Sequence, residues 1–388
     1  MKLRKYMLQL IVVLLLAADC SPGSTPPDPA AQPQASLTSE PPSQLAFHQS
    51  PQRFDSIPTW RIALADLDGD GDLDAVFANA QVEPARVWLN DGYGVFTDTG
   101  QALGDNRHGV DVGDVDGDGD LDIVLTTFRT GLTTLVFLND GQALFTELEG
   151  AFQTNIGFSV TLLDLDGDGD LDAAGNYLSA ARIYSNDGAG MFSLGDTAFL
   201  LTAEWGDLDA DGDVDAFIKR DGYGYAVHVN DGAGGFSEGW HLEDDEAMQQ
   251  GDMALGDVDS DGDVDVVLAN GFFETTSYPA RVLLNDGNGQ FADSGQRLSA
   301  VTNAGLALGD LDLDGDLDLV LTDYLQPCQI WLNDGTGHFE DSGIRIAGGE
   351  FYRHAHLGDL DGDGDLDIFL ATYGTDHGPN EIWFNDLR

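Results

Sequence analysis

Cysteine is nearly absent: Cys20 and Cys328 are the only two in 388 residues. Cys20 ends an apolar N-terminal stretch, so no disulfide framework is expected to hold this chain together. Basic residues are also scarce, 16 Lys and Arg with no cluster among them, which argues against a nucleic-acid-binding surface. No segment sustains a helical period of apolar residues, which argues against a helical domain.

What is abundant is acid. The 69 Asp and Glu residues give a formal net charge of −53, a balance typical of disordered chains. The distribution argues otherwise. Thirty-five of those acids sit in seven short loops of one pattern, set between runs of Val, Ile, Leu and Phe, and removing them from −53 leaves −18. With 42% hydrophobic residues the chain can bury a sizeable core. Regularly spaced carboxylates call for cations.

The N-terminus is set apart from the rest. Lys2, Arg4 and Lys5 precede an apolar run from Met7 to Ala18, too short to span a bilayer comfortably, so residues 1–20 read as an export signal. The ending Leu16-Ala17-Ala18-Asp19-Cys20 resembles a bacterial lipoprotein signal, in which Cys20 is lipidated, although Asp19 departs from the small residue expected there. Residues 21–44, rich in Pro, Ser and Thr, read as a disordered tether. The expectation is an exported protein of a bacterial cell envelope, lipid-anchored or secreted, touching the membrane only through that anchor.

From residue 45 to 388 the sequence repeats. The string Asp-x-Asp-x-Asp-Gly-Asp-(Leu/Val)-Asp recurs seven times. Its carboxylates are Asp66, Asp68, Asp70, Asp72 and Asp74; Asp114, Asp116, Asp118, Asp120 and Asp122; Asp164, Asp166, Asp168, Asp170 and Asp172. They continue as Asp207, Asp209, Asp211, Asp213 and Asp215; Asp257, Asp259, Asp261, Asp263 and Asp265; Asp310, Asp312, Asp314, Asp316 and Asp318; and Asp359, Asp361, Asp363, Asp365 and Asp367. A β-rich run follows each loop, as in Ala75-Val76-Phe77-Ala78. A second run ends in Asn-Asp, as in Val87-Trp88-Leu89-Asn90-Asp91. In six copies Gly and then Phe follow, at Phe96, Phe145, Phe192, Phe236, Phe291 and Phe339, and Asn-Asp-Gly between apolar runs is a hairpin signal.

Each unit therefore reads as four short strands: one into the Asp loop, one out of it, one ending at Asn-Asp, and one carrying Phe. Seven such units predict an all-β fold, a seven-bladed β-propeller. The last copy stops at Asn385-Asp386 without its Phe strand. Leu45-Ala46-Phe47 stands alone at the other end, 19 residues before Asp66, the spacing found between Phe291 and Asp310. The N-terminal strand is expected to complete the last blade and close the ring.

Carboxylates at alternate positions of a turning loop aim several oxygens at one centre, and a flexible all-oxygen cage suits Ca²⁺ better than Mg²⁺. In the first loop side-chain ligation is assigned to Asp66, Asp68, Asp70 and Asp74, with Asp72 giving its backbone carbonyl and Gly71 permitting the turn. About seven Ca²⁺ sites, one per blade, are expected; without metal, like charges would repel in every loop. The loops match an EF-hand for nine positions and then diverge, since Phe77 and Leu125 stand where the twelfth-position Glu belongs.

The motif Asp66-Leu67-Asp68-Gly69-Asp70-Gly71-Asp72-Leu73-Asp74 and its six relatives, with the Asn-Asp-Gly…Phe hairpins, resemble the FG-GAP/VCBS repeats of integrin α-subunit propellers and of many bacterial exported proteins. That resemblance implies a seven-bladed propeller with calcium in the loop joining the first two strands of each blade. It leaves the ligand open.

Propeller topology puts the Asp loops and Asn-Asp-Gly turns on one face. The other face is expected to carry candidate ligand residues: Trp60, Arg107, His108, Trp205, Arg220, Tyr223, Phe272 and Phe273, then Tyr278, Tyr324, Tyr352, Arg353, His354, Tyr373 and His377. Some of these would instead be inter-blade packing. Exposed aromatics on rigid loops suit a sugar or a protein anchor. The favoured expectation is a non-catalytic surface binding module for a protein or glycan, as in cell adhesion. A polysaccharide lyase or hydrolase is the alternative, because His354 and His356 flank Ala355 on an inner strand while Asp111, Glu204 and Asp252 occupy comparable strands. A polar channel lining explains those groups equally well. The third reading is a calcium-rigidified structural component. No residue is assigned as catalytic.

Overall fold

The computed structural model describes residues 45–388 apart from positions 55–56, 81–82, 130, 178–179, 200–202, 221–223, 244–251, 270–277, 302–304, 324–325, 349–351, 374–377 and 388. The leader, Cys20 and the tether lie outside the described residues. The described residues form one compact unit. Among the described residues there is no helix.

The chain folds as seven antiparallel sheets, each with the four strands expected of its repeat. Blade 2 is representative. Gly109–Gly113 runs inward to the Asp loop, Asp122–Thr126 leaves it, Leu135–Asn139 returns, and Phe145–Glu147 forms the outer edge. Blade 1 adds a short strand, Leu103–Asp105, paired with Pro84–Asn90.

The ring closes as expected. Phe47–Gln49 pairs with Glu381–Asn385 in the register Phe47↔Asn385, the same register as Phe96↔Asn90 and Phe145↔Asn139. The N–H of Asp386 donates to the carbonyl of Ala46 at 2.7 Å and extends that ladder.

The core is divided among the seams. Seven clusters of buried side chains each draw on two neighbouring blades. The cluster sealing blade 7 to blade 1 is built on Phe54, whose ring meets Phe77, Trp88 and Phe369 at centroid distances of 5.1–5.3 Å. Cys328 is fully buried in the seam between blades 6 and 7, as are Ala85 and Ala280 at the equivalent places in other seams. All three are small residues, where packing leaves room for little more.

Candidate metal centres and the central channel

Each Asp loop is shaped by its own carboxylates. In the first, Asp66 Oδ1 accepts the N–H of Gly69 at 2.8 Å and Oδ2 that of Gly71 at 3.1 Å, while Asp70 Oδ1 accepts from Asp72. The bond from the sixth-position glycine to the first Asp recurs in all seven loops at 3.0–3.1 Å. Gly71 holds a φ of 100°, which L side chains rarely adopt.

The ninth-position Asp anchors the loop. Asp74 is fully buried; its Oδ2 accepts the N–H of Leu67 at 3.0 Å and its Oδ1 the N–H of Asn90 at 2.8 Å. The same pair of bonds is made by Asp122, Asp172, Asp215, Asp265, Asp318 and Asp367. Burial pushes the pKa of Asp74 up to about 6 and that of Asp367 to about 7, against the backbone hydrogen bonds that lower it. Asp72 turns its carboxylate to the hairpin, where Gly92 leaves space; a Cβ at position 92 would collide with it.

Several of these groups fit a metal ion. Donor oxygens of Asp66, Asp68 and Asp70 lie within 4.8 Å of one another, as do those of Asp164, Asp166 and Asp168. In other loops the ninth position joins instead: Asp114, Asp116 and Asp122; Asp207, Asp209 and Asp215; Asp257, Asp259 and Asp265. The third-position oxygens Asp209 Oδ1, Asp259 Oδ1, Asp312 Oδ1 and Asp361 Oδ1 are buried without a hydrogen-bond partner. A buried, unpartnered carboxylate oxygen is costly unless a cation meets it.

At the opposite end of the inner strands lies an aromatic cluster. Trp60, from the strand entering the first Asp loop, meets Tyr373 at 4.4 Å, Phe158 at 4.9 Å and His108 at 5.0 Å between ring centroids. Phe128 packs on His108 at 4.0 Å and stacks with Phe158 at 5.8 Å and 16°. Trp60 and His108 are buried, with 7% and 2% exposure, whereas Phe128, Phe158 and Tyr373 are half-exposed. The result is a closely packed base carrying three partly open rings.

Between the two ends, strand alternation lines a channel with the residues three and five places before each Asp loop. Arg61, Asp252 and His354 occupy the outer level; Asp111, Glu204 and His356 occupy the inner one, where blades 1, 5 and 6 place only Ala63, Ala254 and Ala307. Asp252 Oδ2 pairs with His354 Nδ1 at 3.4 Å. Burial opposes the charge on Asp252, yet the hydrogen bond and charge of His354 hold its pKa below the ordinary value. Glu204 is pushed up to about 8 by burial and then by the charge of Asp252. Burial, with His354 next, pushes His356 down to about 3.

The sequence profile of the FG-GAP-like repeat matches residues 66–125, 114–175, 257–321 and 310–370, together more than half of the chain. The chain belongs to the FG-GAP-like repeat family. No curated protein matches the sequence. A lectin of Agrocybe aegerita, described by its recognition of non-reducing terminal N-acetylglucosamine, is similar at 20% identity over 84% of this chain and 85% of its own, with a TM-score of 0.54. BBS1N, solved in complex with ARL6DN, is similar at 10% identity over 88% of this chain and 96% of its own, with a TM-score of 0.57. At these identities the likeness is one of fold.

The FG-GAP propeller redistributes the expected ligand face. Tyr352, 1% exposed, belongs to the packed seam between blades 6 and 7, because its register turns it inward. Trp205 stands two residues before Asp207, at the Asp-loop end, and packs edge-on against Phe236 at 6.0 Å. Tyr352 is thus buried in packing, and Trp205 sits away from the end opposite the Asp loops. Arg107 is buried and donates to the carbonyl of Thr133 at 2.8 Å. His354 lines the channel, and Trp60, His108 and Tyr373 meet at its mouth. Tyr223, Phe272, Phe273, Tyr324 and His377 lie outside the described residues, as do the side chains of Arg220, Tyr278 and Arg353. Sequence reasoning passed over Phe128, Phe158 and Arg61. Counting back five and six places from each loop's first Asp would have found Arg61 and Phe158.

Proposed function

We propose that this FG-GAP propeller is an exported, calcium-loaded binding module whose ligand, a glycan or a protein, docks at the channel mouth opposite the Asp loops and is not chemically altered. The observation that carries this reading is the aromatic platform. Phe128, Phe158 and Tyr373 present half-exposed rings on a base fixed by Trp60 and His108. Flat rings held in place suit the apolar face of a sugar at little entropic cost. A protein anchor is the second reading. The lectin's sugar and the complex of BBS1N with ARL6DN are examples of each kind of recognition on a similar fold.

Calcium is supported by the donor chemistry: every candidate group in the loops is a hard carboxylate oxygen. Seven ions would offset fourteen units of the net charge of −53 and make the loops rigid. Carboxylates engaged by a cation are poor proton carriers, which supports a role without turnover. The leader supports export, and Cys20 is the place for a lipid anchor; the mass of the mature N-terminus tests both.

The functional test is a glycan and surface-extract binding screen with the calcium-loaded protein. A retained, unaltered ligand whose affinity falls on the order of tenfold in Phe158→Ala or Tyr373→Ala is the expected result. Product release, or binding indifferent to both substitutions, contradicts the reading.

A further inference from the structure

The channel carries a second class of metal donor, distinct from the all-oxygen loops. His354 and His356 sit two places apart on the strand Tyr352–Gly358, so both imidazoles face the same side of it, with ring centroids 6.5 Å apart. Asp252, reaching across from blade 5, takes the Nδ1 side of His354. A carboxylate on one ring nitrogen is the usual device for fixing a tautomer and aiming the other nitrogen at a metal. His356 Nε2 is shielded from water and has no hydrogen-bond partner, a state that burial penalises. A ring closed by strands has no structural need of these groups, since alanine fills the level of His356 in blades 1, 5 and 6.

Charge points the same way. Among the described residues, the carboxyl groups of Asp111, Glu204 and Asp252 share the channel with the guanidinium of Arg61. Imidazole nitrogens favour zinc-class transition ions, whereas Ca²⁺ prefers oxygen. The two sets of sites on this chain are therefore sorted by ligand hardness.

We propose that the central channel is a binding site for one divalent transition-metal ion of the zinc class, held by the imidazoles of His354 and His356 from blade 7, with Asp252 orienting His354 and Glu204 supplying carboxylate charge at the level of His356. This site is independent of the calcium loops and of any ligand at the channel mouth.

Co²⁺ titration of the calcium-saturated protein, followed by visible absorption, tests the proposal. Excess calcium keeps the Asp loops occupied, so the expected result is a single equivalent of Co²⁺ with the intense ligand-field bands of a low-coordinate, nitrogen-ligated site. Zn²⁺ should displace it. His354→Ala and His356→Ala should each abolish the bands, and Asp252→Asn should weaken binding about 10-fold or more. Because a channel substitution can disturb folding, ring-proton NMR of the unaltered protein gives a second readout: Zn²⁺ should shift the resonances of two histidines and spare His48. Absorption without nitrogen character that excess calcium removes, or Zn²⁺ leaving every histidine resonance in place, overturns the proposal.

Discussion

The side-chain amide of Asn90 donates to the carbonyl of Leu360 at 2.9 Å, so the first blade's hairpin grips the seventh blade's Asp loop across 270 positions of sequence. The same bond is made by Asn139 to Leu67, Asn186 to Val115, Asn230 to Leu165, Asn285 to Leu208, Asn333 to Val258 and Asn385 to Leu311. Each Asn also holds its own blade's loop, as Asn230 does through the carbonyl of Val214. The ninth-position Asp binds the N–H of the very residue whose carbonyl the neighbouring Asn takes. Seven loops are thereby joined in one circuit of hydrogen bonds.

Breaking one link should be felt globally. Asn230→Ala leaves two loop carbonyls without their donor and should cost about 2 kcal/mol. Denaturant unfolding checks this, and a midpoint equal to that of the unaltered protein would show the circuit to be dispensable.

Backbone strain is stored in three loops. The fourth position is Gly in four blades, but Ala210, Ser260 and Leu313 stand there in the others with φ of 58–61°. Leu313 is also exposed. Ala210→Gly and Leu313→Gly should each stabilise the fold by about 1 kcal/mol by relieving a left-handed residue, read as a rise in Tm.

The metal-free protein should have an inverted pH response. Asp74, Asp122, Asp172, Asp215 and Asp265 have folded pKa values raised to about 6, and Asp318 and Asp367 to about 7, from an ordinary 3.8. Between those limits the folded chain holds more protons than the unfolded one. Their stabilisation is complete below about pH 4 and is lost as pH rises through 6–7. In chelator, Tm should therefore be higher at pH 5 than at pH 8. Saturating calcium should reverse the order, because binding requires the ionised carboxylates.

The fold was legible because repetition makes each signal count seven times. Asp-loop spacing, Asn-Asp-Gly turns and the stray Phe47 strand fixed blade number and closure, and Phe47↔Asn385 has the register they imply. The loops were legible as carboxylate cages, but the work of Asn90 was not: a hairpin Asn reads locally as turn chemistry, while its partner Leu360 is distant in sequence. The end opposite the Asp loops was the least legible part. Trp205, Tyr352 and Trp60 carry similar chemistry, and only strand register separates the Asp-loop end, a seam and a channel mouth. Arg61 was missed because a lone Arg in an apolar strand gives no sign of the carboxylates that face it from other blades.

The central claim is that all seven Asp loops are calcium sites, and the most direct measurement is the number of calcium ions retained per chain, counted by native mass spectrometry. The account predicts seven, falling to six when Asp209 and Asp211 are both replaced by Asn. A chain that retains no calcium, or a count unmoved by those substitutions, would contradict it.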